Sequence, residues 1–197
     1  MKPEIEVKFA DVNHDELRAK LTALGAECVA SSRLMRRYTY DFADDRLRNE
    51  RQGWIRVRDE GDKVTLSYKQ LNDRTLTGTH EVNVTVDSFE RADDFIRQIG
   101  GVEKSYQETK RESWRLDGFE IELDEWPWSK PYIEAEGPDE APLKSLAAKL
   151  GLDWGKALYG SVEIIYQQEY DVTDDEIDAL PRITFDMPAP DCLRTRR

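Results

Sequence analysis

Charge alternates with hydrophobicity along residues 118–137, and that alternation constrains the fold more than any other feature of the chain. Glu120, Glu122 and Asp124 share one face of an extended segment, while Phe119, Ile121 and Leu123 share the other. Beyond a turn bracketed by Pro127 and Pro131, Ile133 and Ala135 oppose Glu134 and Glu136. Strand side chains point to opposite faces with period two, so the stretch predicts an antiparallel hairpin with one apolar and one acidic face. Pairing crowds its carboxylates into one patch, where they repel unless water, basic partners or a bound cation compensates. One such hairpin, taken alone, reads as a solvated exterior.

The pattern recurs. Glu4, Glu6 and Lys8 oppose Ile5, Val7 and Phe9, and a helix follows, with Asn13 as N-cap, Leu17, Leu21 and Leu24 as its stripe and Gly25 at its end. Strand signals return at 36–42, residues 44–50 read as a polar loop, and strands at 54–58 and 64–69 form a hairpin. A strand at 80–86 carries Glu81, Asn83 and Thr85 on one face. A helix over 88–99 then turns Ala92, Phe95, Ile96 and Ile99 inward. A short strand at 109–114 echoes 36–40, and a helix over 141–150 follows the acidic hairpin. The roughly 75-residue spacing of the first two strand–helix units suggests a half-repeat. Residues 162–170 read as helical, and Thr173 with Glu176 forms a capping box. The Pro-rich end bearing Arg194, Arg196 and Arg197 reads as mobile, so residues 1–170 are expected as one domain and 171–197 as an acidic helix and tail.

At 197 residues with a net charge of −12, the chain lacks the excess of Lys and Arg on which non-specific nucleic-acid binding rests. Cys28 and Cys192 are far apart with no metal-like spacing, and His14 and His80 are the only histidines. No apolar run reaches spanning length and no leader pattern opens the chain, so a cytoplasmic protein without a membrane partner is expected.

The helices' apolar stripes need an apolar surface. If they cover the apolar strand faces from outside, the charged faces meet inside a curved sheet. The fold expected is α+β: an eight-stranded antiparallel β-barrel, or tunnel, with helices packed outside. Acids then enter the bore from strands at 4–8, 81–85, 120–124 and 134–136, and bases from Lys8, Arg56, Arg58, Lys69 and Arg111. A lumen of both signs suits a polyphosphate and its divalent cation: Arg and Lys take phosphate oxygens, and carboxylates hold Mg²⁺ or Mn²⁺.

The order Glu4-Ile-Glu-Val-Lys8, Trp54-Ile-Arg-Val-Arg58, Tyr68-Lys69, Lys110-Arg111, Glu122-Leu-Asp124, Ile133-Glu-Ala-Glu136 and Tyr159 resembles the CYTH superfamily. These triphosphate tunnel metalloenzymes include thiamine and inorganic triphosphatases and class IV adenylyl cyclases. The likeness spans about residues 2–166 and implies a triphosphate- and metal-binding tunnel. It makes Glu4, Glu6, Asp124, Glu134 and Glu136 metal ligands or water-positioning groups. Lys8, Arg56, Arg58, Lys69 and Arg111 become phosphate contacts, Lys156 a further one, and Glu81 and Glu122 additional tunnel acids. Glu4, Lys8 and Glu134 carry the catalytic expectation, Lys8 by orienting water or stabilising developing charge. Where the family reads Arg-x-Glu-x-Glu, Thr79-His-Glu81-Val-Asn83 lacks one base and one acid. Thr39 stands where thiamine triphosphatases carry a tyrosine, which argues against that specialisation. A metal-dependent triphosphatase acting on inorganic or nucleoside triphosphate is the leading expectation, as monomer or homodimer. An adenylyl cyclase forming cyclic AMP and pyrophosphate, and a non-catalytic polyphosphate-binding module, are the alternatives.

Overall fold

The computed structural model describes residues 1–195. The N-terminal strand comes in two pieces, β1 (Lys2–Pro3) and β2 (Glu6–Ala10), followed by α1 (His14–Ala23), β3 (Glu27–Phe42), α2 (Arg46–Arg51), β4 (Gly53–Asp59) and β5 (Val64–Leu71). Then come β6 (Thr79–Val86), α3 (Phe89–Gln98), β7 (Gly101–Leu116), β8 (Phe119–Glu125), β9 (Tyr132–Glu136) and α4 (Glu140–Leu150). A 3₁₀ turn (Trp154–Lys156), α5 (Glu163–Glu169), α6 (Asp174–Asp178) and β10 (Arg182–Ile183) complete the fold.

The sheet order is β1-β6-β5-β4-β3-β7-β8-β9-β2, with β10 added parallel to β7. β1 and β2 occupy opposite ends of that order yet are consecutive in the chain. Counted as one strand, they make eight antiparallel strands in a curled sheet whose two edges the N-terminal segment joins. The Glu4 amide donates to the Thr79 carbonyl at 2.8 Å on one side, and the Gly137 amide to the Ile5 carbonyl at 3.1 Å on the other. Lys8 and Leu158 exchange backbone bonds of 3.0 and 2.9 Å beside that junction. The half-repeat is visible as β2-α1-β3 and β6-α3-β7, whose 16-residue strands pair with each other.

Apolar rows face outward, and helices cover those of β2, β8 and β9, while Val82 and Val84 of β6 stay exposed. Leu17 and Leu21 of α1 and Leu143, Leu146 and Leu150 of α4 cluster with Val7, Phe9, Ile121, Leu123 and Ile133. Each such side chain, fully buried, contributes about 1.5–3 kcal/mol, and that term turns the charged rows inward. Phe89, Ala92 and Ile96 of α3 bury against Tyr40 and Val57. Phe95 and Ile99, expected inward, are 58% and 52% exposed, because Phe89 supplies the helix's inward row instead. Residues 44–50, expected as a loop, include most of α2. Its start is tied by the Asp41 carboxylate, which accepts from the Leu47 amide at 3.0 Å and the Arg48 amide at 2.9 Å. β3 and β7 extend well beyond the expected 36–42 and 109–114, since register shifts near Cys28 and Ala30 break the alternation in sequence but not the pairing.

The short helix expected at Thr173 forms with its capping box, and the end beyond Pro181, expected to be mobile, is docked; Arg196 and Arg197 lie outside the described residues. Val172, Ile177 and Ile183 bury against Trp126, Tyr132 and Tyr166. Ser105 Oγ donates to the Leu180 carbonyl at 2.7 Å, and Trp128 Nε1 to the Met187 carbonyl at 2.8 Å.

Candidate active site

Because β2, β9 and β8 pair in register, their inward residues form rungs. Glu6, Glu136 and Glu120 stand side by side on one rung. Lys8, Glu134, Glu122 and Ser113 form the next, and Asp124 and Arg111 pair on the one beyond. Across the bore the rungs run Glu81–Lys69–Trp54, Asn83–Ser67–Arg56–Thr39 and Thr65–Arg58–Arg37. Between them lies a cavity of about 1210 Å³ that opens to solvent.

The Lys8 ammonium, 4% exposed, lies 2.8 Å from Glu6 and 3.0 Å from Glu134. Burial works against its charge, but Glu134 and Glu6 outweigh burial and raise its pKa. Glu134 is held low against its own burial by Lys8 and Arg111 and stays ionised. Lys69 reaches Glu4 at 2.9 Å and Glu81 at 3.2 Å, and Arg56 reaches Glu81 at 3.0 Å. Burial, then a hydrogen bond to Glu81, pushes Glu4 up to about 8, while Lys69 and Arg56 hold Glu81 low against its own burial. Glu136 is pushed up to about 7 by burial and by its rung neighbours Glu120 and Glu6. Burial and the adjacent Arg58 press Arg56 down to about 10.

Glu4, Glu6, Lys8, Arg56, Arg58, Lys69, Glu81, Arg111, Glu122, Glu134 and Glu136 all line this one cavity. Two expected site residues do not. Asp124, 1% exposed, is absent from the lining; it stands behind Arg111 and grips it through two bonds of 2.7 and 2.5 Å, so it positions that guanidinium. Lys156 lies exposed in the 3₁₀ turn outside the cavity, because the chain after α4 runs over the outer face. Asn83 Oδ1 accepts from Ser67 Oγ at 3.1 Å, so the place of the missing acid is filled by a neutral bond. Sequence reasoning also missed several lining residues, Arg37 and Glu60 among them. Arg37 shares a strand face with Thr39 and Asp41, a signal present in the alternation of 36–42. Glu60, in a turn with no periodicity to read, accepts from Arg58 at 2.6 Å and is 4% exposed. α5 and α6 add Glu163, Asp174 and Asp178 to the cavity wall.

The CYTH domain profile matches residues 2–164. The chain belongs to the CYTH family. A search of curated proteins finds no match. Among solved structures, the CYTH chain is similar to a Vibrio parahaemolyticus protein provisionally named an adenylate cyclase, with 17% identity and a TM-score of 0.69 over 84% of this chain and 98% of that one. It is similar to PH1012 of Pyrococcus horikoshii at 21% identity and TM-score 0.63, over 78% and 93% of the two chains. HpAC1 of Hippeastrum, provisionally named an adenylyl cyclase and described as having a dominant triphosphatase activity, matches at 17% identity and TM-score 0.60 over 85% and 96%. These likenesses establish the fold. No helix among the described residues is long and apolar enough to cross a membrane.

Among the described residues no three acidic, His or Cys side chains converge as a ready-made metal cage. The donor set nevertheless fits a hard cation. Glu6, Glu136 and Glu120 crowd one rung; Lys8 partners Glu6 and Arg115 partners Glu120, while Glu136 is pushed up by burial and by its acidic neighbours. Mg²⁺ is commonly held by one or two carboxylates together with substrate phosphates, which needs no complete protein cage.

Proposed function

We propose that this protein is a divalent-metal-dependent triphosphatase that hydrolyses an inorganic or nucleoside triphosphate within the bore. The observation that carries the reading is the meeting, around one open-mouthed cavity, of the Glu6–Glu136–Glu120 rung with Arg56, Arg58, Lys69 and Arg111. Basic side chains alone would suit a polyanion; facing carboxylates add the donors a phosphate-bridging cation needs. Family membership supports the same reading.

Arg56, Lys69 and Arg111 hold the phosphate oxygens, and burial strengthens each contact. Glu4, Glu6 and Glu136 would hold Mg²⁺ or Mn²⁺, which when bound supplies Lewis-acid stabilisation of phosphate charge. Glu134, kept ionised, accepts a hydrogen bond from the attacking water and orients it towards the terminal phosphorus. The new P–O bond to water forms as the bridging P–O bond breaks; the diphosphate end leaves with the bridging oxygen, and orthophosphate departs with the water's protons shared between it and solvent. Lys8, kept protonated, faces the oxygens on which charge develops.

The test is product analysis with tripolyphosphate, thiamine triphosphate and ATP, each with Mg²⁺ or Mn²⁺. Orthophosphate release supports the proposal. Cyclic AMP and pyrophosphate from ATP would make the protein a cyclase, and binding without turnover would make it a polyphosphate-binding module.

A further inference from the structure

Every Lys and Arg lining the cavity except Arg37 has a carboxylate oxygen within 4.0 Å among the described residues. Arg37 is 6% exposed. Its Nη2 donates to Thr109 Oγ1, its Cζ lies 4.8 Å from the centre of the Trp126 ring, and its Nε is buried without a hydrogen-bond partner. Its rung neighbour is Arg58, a further cation. Burial, with Arg58, Arg56 and Arg111 nearby, presses the Arg37 guanidinium well below its ordinary value.

A buried charge with no counter-charge is costly, and one hydroxyl and one aromatic face do not offset that cost. Arg56 also has a buried Nε without a partner, but it holds Glu81 at 3.0 Å, and the other cations are likewise paired. Lys8, Lys69 and Arg111 each already hold carboxylates that an incoming anion must displace or share. Arg37 has free donors and nothing to displace.

We propose that Arg37 is a dedicated oxyanion-binding position of the bore, taking one phosphoryl group of the polyphosphate through its unsatisfied Nε–H and adjacent Nη–H before any metal is bound. The inference rests on the triphosphate reading above and adds the residue that anchors the substrate and the order in which charges meet. Arg37 lies against Trp126, which packs in the cluster that the C-terminal segment completes. The anchored phosphoryl group therefore sits towards that covered end, and the remaining phosphates extend back past Arg56 to the acidic rungs.

The two roles open to Arg37 predict opposite signs. If it is structural, removing it destabilises the protein. If it is kept for a ligand, replacing it by an apolar side chain of similar length relieves the uncompensated charge, so stability rises while affinity falls. The experiment is calorimetric titration of inorganic tripolyphosphate into metal-free protein with chelator present, alongside thermal unfolding, for wild type, Arg37→Met and Arg37→Lys. Wild type is expected to bind without metal. Arg37→Met is expected to bind about 10- to 100-fold more weakly, the equivalent of one charge-assisted contact. Its ligand-free melting temperature should rise, and Arg37→Lys should keep part of the affinity. Tripolyphosphate affinity unchanged in Arg37→Met, or wild-type binding that requires metal, overturns the proposal. Arg37-dependent binding without phosphate release would sink the triphosphatase reading and leave this position standing. Turnover with an unchanged KM in Arg37→Met would do the reverse.

Discussion

Three acids lie within 4.0 Å of Arg111, and removing the charge of two of them, Glu134 and Asp124, should act in opposite ways. Glu134 accepts from Arg111 at 3.3 Å and faces the cavity; Asp124 grips it through two bonds of 2.7 and 2.5 Å and lies behind it. In Glu134→Gln, Lys8 keeps Glu6 at 2.8 Å and Arg111 keeps Asp124, so neither cation is left without a counter-charge. The stability cost is then that of weakened hydrogen bonds, about 1–2 kcal/mol. The catalytic cost is larger, because the amide cannot bind a cation or orient water as the carboxylate does; kcat should fall by about 10²–10⁴-fold. Asp124→Asn instead removes the charge of a fully buried carboxylate that grips Arg111 and should cost about 3–5 kcal/mol in urea unfolding. Phosphate release from tripolyphosphate and unfolding midpoints measure the two quantities. Glu134→Gln with kcat within a few-fold of wild type, or losing as much stability as Asp124→Asn, would refute the assignment.

Lys156→Ala should leave kcat and KM within about two-fold of wild type, since its side chain is exposed outside the cavity; a ten-fold loss would return Lys156 to the site. Stability without metal should fall as pH rises. Glu4, at about 8, and Glu163, pushed up to about 7 by burial beside Asp178, hold protons in the folded state that the unfolded chain releases above its ordinary value of 4.5. The unfolded state binds fewer protons throughout that window, so these groups lower the melting temperature between about pH 5 and about pH 8. Glu163→Gln should flatten part of the slope. A midpoint that climbs over this range would contradict it.

Period-two alternation is a local property, and it was enough to assign the inward residues of β2, β4, β8 and β9, and with them the sign of each wall. The apolar stripe of α4 was equally legible, as were Leu17 and Leu21 of α1, because a helix face is written in consecutive turns; Leu24, expected in the same stripe, lies past the helix end and is exposed. Pairing register is not local: that Glu6, Glu136 and Glu120 share a rung follows from the alignment of three strands, two of them far from the first in sequence. The same limit separates Asp124 from Glu134. Both follow the alternation, but only the curvature of the sheet and the reach of Arg111 decide which faces the cavity.

Lys156 was assigned by likeness of order along the chain, and order does not fix where a residue after a helix comes to rest. Arg37 was readable as inward; its lack of a carboxylate partner was not, because partners come from other strands. From its sequence alone this chain specified a charged bore, the strands that build it and the residue types that line it, since those depend on near neighbours. Which charges meet, which stay unpaired and which end is covered were settled by the closed sheet and the docked C-terminal segment, because electrostatic pairing acts through space between residues the chain brings together only when folded.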